Sequence, residues 1–90
     1  MIVSINVWPL EDNYGRVVDY EIHVRRNYRP FNASSTGIKT REDMIERLTK
    51  EAEQHGKYAD TVEVYAPDFI FGGYEKTYHF DHQKDKEESK

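Results

Sequence analysis

No cysteine occurs anywhere in the chain. That removes disulfides, thiolate metal sites and cysteine nucleophiles together, and it suits a reducing compartment. Apolar residues are also scarce, at 37%, against 33% charged, so a chain of 90 residues is expected to build one domain with a thin core. Burial against a second copy, as a homodimer, would add to such a core. No long apolar run is present. The opening MIVSINVWPLED lacks a basic leader region and is too short in apolar residues for a signal peptide or a membrane span. These absences lead to an expectation of a cytoplasmic protein with no membrane partner.

What the chain does have is alternation. Val3, Ile5 and Val7 alternate with Ser4 and Asn6, and Val18, Tyr20, Ile22 and Val24 alternate with Asp19, Glu21, His23 and Arg25. Period two with β-branched residues indicates strands, near 1–8 and 17–26. Between them Pro9, Asp12, Asn13 and Gly15 supply turn chemistry, so the two form an antiparallel hairpin with one wet face. TVEVYA and YEKTYHF add strands near 61–66 and 74–80.

TRED opens a helix near 41–55. Thr40 stands at the N-cap with Asp43 three residues on, and Met44, Ile45, Leu48 and Ala52 share one face. Gly56 stands where a left-handed stop belongs, and Asp43–Arg47 and Glu46–Lys50 are spaced as i,i+4 ion pairs. The expected fold is therefore α+β, in ββαββ order, with an antiparallel sheet of about four strands and one amphipathic helix across it. The domain covers 1–80. The segment 81–90, DHQKDKEESK, has no apolar residue and reads as a flexible charged tail.

The functional signals lie in surface chemistry. RRNYRPFNASSTGIKTR, residues 25–41, carries five positive charges and no negative one in a chain of net charge −4. Its Arg25, Arg26, Tyr28, Arg29 and Phe31 combine cations for phosphates with rings for bases, which is how a single-strand binder is built. The same stretch, 27–39, also reads as a long soluble loop between sheet and helix. A sequence pI near 5.5 weighs against a polyanion ligand, since nucleic-acid-binding domains are characteristically basic. Phe69 and Phe71, beside Gly72 and Gly73, either complete the thin core or project, and if they project they make, with Tyr74 and Trp8, a candidate aromatic edge for a protein partner. Acidic side chains on the helix and tail can imitate a row of phosphates on a competitor's behalf.

Catalytic signals are weak. His79, Asp81 and His82 lie close in sequence, but strand geometry sets the two histidines on opposite faces and supplies no third ligand. FGGYEK lacks the P-loop spacing, and no nucleophile–base pair is evident. No catalytic residue, metal ligand or cofactor site is therefore expected. In composition the chain resembles the small, cysteine-free, acidic α+β proteins that phages and mobile elements deploy against host machinery, anti-CRISPR-like inhibitors among them. That resemblance implies a non-catalytic module that occludes a host protein handling nucleic acid. Direct nucleic-acid binding through 25–41 is the alternative.

Overall fold

The computed structural model describes residues 1–66 and 73–80; Phe69, Phe71 and the expected tail 81–90 lie outside them. Strands β1 (Ile2–Glu11), β2 (Val17–Arg26) and β3 (Arg29–Ser35) precede helix α1 (Arg41–His55), and β4 (Thr61–Ala66) and β5 (Tyr74–His79) follow. They form one five-stranded sheet in the order β3-β2-β1-β4-β5.

The α+β class stands, while the four-stranded antiparallel arrangement is corrected to a five-stranded mixed one. Two features account for the change. The helix carries the chain over the sheet, so β4 enters parallel to β1, with Val3 opposite Val62 and Ile5 opposite Val64; the other pairings are antiparallel. The second feature is β3, which occupies much of the stretch expected to be a loop. As an edge strand it is exposed on nearly every residue, so nothing in its burial selects for apolar alternation.

What places β3 is the turn before it. Arg26 pairs with Arg29 across a two-residue connection in which Asn27 (φ 50°) and Tyr28 (φ 64°) are both left-handed, the type I′ geometry of tight hairpins. Asparagine tolerates this conformation, but a tyrosine there is an outlier. The backbone N–H of Asn27 donates to the Ile2 carbonyl at 2.7 Å, and its side-chain Oδ1 accepts from the Ile2 N–H at 3.0 Å, which ties the turn to the start of β1.

One sheet face is covered. Val3, Ile5, Val7, Tyr20, Ile22, Val24, Val62, Val64 and Ala66 meet Met44, Leu48 and Ala52 of α1 in a single buried cluster. The helix begins as its sequence indicates, with Thr40 Oγ1 accepting from the Asp43 N–H at 3.2 Å. Arg47 turns forward, away from the expected Asp43 pairing, and its Nε lies 3.1 Å from Glu51. Lys50 does reach Glu46, also at 3.1 Å.

The expectation for Gly56 is corrected. Its φ of −63° and ψ of −15° are right-handed, so conformational freedom is not what the position requires. It requires space: a Cβ there would lie 2.3–2.7 Å from the Phe80 ring. Glycine lets the strand end and the helix end touch.

Candidate interaction face of the sheet

Among the described residues no helix packs on the second sheet face. Because side chains alternate, burying the odd-numbered residues of β1 commits Ser4, Asn6 and Trp8 to the opposite side. Register then fixes their neighbours. Trp8 lies beside Glu21, Asn6 beside His23 and Ser4 beside Arg25; Ser4 also adjoins Glu63, and Asn6 adjoins Tyr65. Across β4, Glu63 meets Thr77 and Tyr65 meets Glu75. Trp8 is 51% exposed and Tyr65 46%, a large uncovered aromatic area for so small a domain.

The left-handed turn aims Tyr28 over this face. Its hydroxyl donates to Glu63 Oε1 at 3.1 Å, reaching from the β2–β3 turn to β4. That bond favours the protonated phenol and raises the Tyr28 pKa above its ordinary value. A shallow concavity of about 410 Å³ opens beside the bridge, lined among others by Ser4, Asn6, Arg25 and Thr77. On the same face, the Trp8 and His23 rings meet edge to face at 6.4 Å, with His23 Nε2 lying 2.5 Å from Glu21 Oε1.

The charge on this face is one-sided. Glu21, Glu63 and Glu75 project there, whereas among the described strand residues Arg25 supplies the lysine-or-arginine charge. Local concentrations of carboxylate with low-dielectric aromatic walls favour a cationic partner.

The residues singled out in 25–41 are thus divided between two sides. Arg25 and Tyr28 belong to the open face. Arg26 and Phe31 lie on the helix side, where the Arg26 guanidinium stacks 3.5 Å from the Phe31 ring centroid and 4.8 Å from that of Tyr58. Arg26 Nε donates to Tyr58 Oη at 3.2 Å. Tyr58 Oη in turn contacts His55 Nδ1, and His55 Nε2 lies 3.5 Å from Glu51 Oε2. The consistent direction is Arg26 to Tyr58, Tyr58 to His55 and His55 to Glu51, with a neutral imidazole accepting at Nδ1. Burial, the leading cause, holds the His55 pKa below its ordinary value; the Glu51 carboxylate opposes the shift and Arg26 reinforces it. An arginine held between two rings is occupied with structure.

Arg29 is exposed at the hairpin end. Tyr74 is half-buried and packs on the core, so its ring is on the helix side, away from Trp8. Tyr65, Glu63 and Glu75 escaped the sequence reading. TVEVYA and YEKTYH show the alternation, but without the β1–β4 pairing nothing indicates that their polar sides adjoin Asn6 and Ser4. Among the described residues no cluster of three or more His, Asp or Glu gathers to hold a metal ion, and no helix is long and apolar enough to cross a membrane. Comparison with protein-family models, with curated proteins and with solved structures gives no match.

Proposed function

We propose that the chain is a non-catalytic protein-binding module that occludes a basic surface on its partner through the open face of its sheet. The observation that carries this reading is the combination, on the sheet face opposite the helix, of exposed Trp8, Tyr28 and Tyr65 with Glu21, Glu63 and Glu75. Flat aromatics are the commonest interface anchors, and individual anchors are worth about 2 kcal/mol or more. Carboxylates around them steer and select a lysine- or arginine-bearing partner. Proteins that handle nucleic acid present such surfaces, so competition for a phosphate-binding region is the mode of action this face suits. A host-directed inhibitor of that kind is the reading we adopt.

Direct nucleic-acid binding draws less support. Of the basic and aromatic residues in 25–41, Arg26 and Phe31 are engaged with Tyr58 and His55, and the neighbouring open face is acidic. Two measurements separate the readings. Fluorescence polarisation with single- and double-stranded oligonucleotides at low and physiological salt is expected to show no binding; steep salt-dependent binding would reverse the choice. Affinity capture from host lysate is expected to retain a protein with wild-type bait and with a Lys50→Ala/Glu53→Ala control, and to lose it with Trp8→Ala/Tyr65→Ala. Retention by the latter variant would place the contact elsewhere.

A further inference from the structure

The sheet has two edges, and they are built differently. β3 is blunted. Pro30 has no N–H to offer, and the pairing with β2 shifts register between Val24 and Arg25, leaving a bulge that discourages a further strand. β5 carries neither device among the described residues: its six positions pair with β4 in unbroken register from Thr61–His79 to Ala66–Tyr74.

The hydrogen-bond phase of β5 is fixed. The Phe80 N–H donates to the Asp60 carbonyl at 2.8 Å, so Tyr78, Lys76 and Tyr74 exchange bonds with β4, while the N–H and C=O groups of Glu75, Thr77 and His79 point away from the sheet. Any strand added here must bond to those three residues. An antiparallel second copy that does so has few registers, and side-chain chemistry distinguishes them.

Centring the two-fold on Lys76 sets lysine against lysine, a like-charge pair that is destabilising. Centring it on Tyr78 puts the positions opposite Glu75 and Tyr74 beyond Phe80, outside the strand. Centring it on Thr77 matches the strand along its whole length. Glu75 then faces the partner's His79, Lys76 faces the partner's Tyr78, and Tyr74 faces the partner's Phe80. The cation–ring affinity invoked for Lys76 is already present within one chain, where its Nζ lies 4.8 Å from the Tyr78 ring centroid.

We infer that two copies of this chain pair antiparallel through β5 about a two-fold axis at Thr77, joining their sheets into one continuous sheet. The pairing is independent of the open-face reading, although it would set the two open faces side by side.

Sedimentation equilibrium on the full chain, up to about millimolar concentration, tests it. The expected result is a reversible dimer of the 10.7 kDa chain. Thr77→Pro removes an N–H that β4 does not use, so the monomer stays folded by circular dichroism while the dimer dissociation constant rises about tenfold or more. Glu75→Lys weakens the dimer and Glu75→Lys/His79→Glu restores it, because the swap re-forms the same opposed pair. The chain has no cysteine, so Thr77→Cys can form only an intermolecular disulfide; it is expected to cross-link readily, and Ser35→Cys on the β3 edge is not. A monomer across the whole range overturns the inference. So does a dimer indifferent to Thr77→Pro, or one that cross-links through Ser35→Cys instead.

Discussion

Replacing Gly56 by alanine separates two reasons for a glycine at a helix end. If the residue were there for a left-handed conformation, alanine would be strained in the backbone. Its φ of −63° makes alanine acceptable in that respect, and the smaller freedom of alanine in the unfolded chain would favour it by roughly 0.4–1 kcal/mol. The obstacle is Phe80: the new methyl would lie 2.3 Å from Cζ and 2.5 Å and 2.7 Å from the two Cε atoms. Carbon–carbon contacts are optimal near 3.5–4.0 Å, so the ring must retreat by about 1 Å and give up part of its packing on Tyr78. Overpacking of this kind costs about 1–3 kcal/mol, so after that gain the net loss is at most about 2.5 kcal/mol. Urea unfolding followed by far-UV circular dichroism reads this directly. The decisive comparison is the same substitution in a Phe80→Leu background, where the ε and ζ carbons are absent. There Gly56→Ala is expected to become neutral or mildly stabilising. An equal loss in both backgrounds would refute the packing argument and return the cause to the backbone.

Three further outcomes follow from the same contacts. Tyr28→Gly converts the turn to Asn-Gly, which suits its two left-handed residues, so stability should change by no more than about 1 kcal/mol while capture of a protein partner weakens through loss of the Tyr28–Glu63 bridge; urea midpoints and retained partner are the readouts. His55 is held below its ordinary pKa of 6.5, so the unfolded chain takes up the proton first. Its contribution is present above about pH 6.5 and is lost as pH falls towards the folded-state value; the urea midpoint should drop between about pH 7.5 and 5.5, and His55→Gln should flatten that drop. Asp19 is also depressed, chiefly by accepting from the Tyr20 N–H and then the Gly37 N–H. Its contribution is present above its ordinary value of 3.8 and lost as pH falls through the folded value, so Asp19→Asn should lessen the acid sensitivity seen by circular dichroism.

The sequence was most readable where burial and period coincide. Val3, Ile5 and Val7, Ile22 and Val24, and Met44, Leu48 and Ala52 show their structure through spacing, because each faces one common core. β3 was hidden for the opposite reason. A strand exposed on both sides has no burial pattern, and its position is set by Asn27 and Tyr28, two residues rather than a run. The parallel entry of β4 was equally silent, since pairing partners are a property of the whole sheet. The proposed interaction face is subject to the same limit. Trp8, Arg25 and Tyr28 stood out by type and lie together on the open side. Glu63, Tyr65 and Glu75 join them only through the β1–β4–β5 register, whereas Arg26 and Phe31, adjacent in sequence to Arg25, turn to the other side.

The open face itself can be examined at the Trp8 indole, a single N–H resonance because the chain has one tryptophan. In a ¹⁵N-resolved titration with the captured protein partner, this signal and the amides of Asn6, Glu63, Tyr65 and Thr77 are expected to shift, while those of Glu46, Lys50 and Glu53 on the helix stay in place. Perturbation confined to Arg29–Ser35 or to the helix, with the Trp8 indole unmoved, would contradict the assignment of this face as the binding surface.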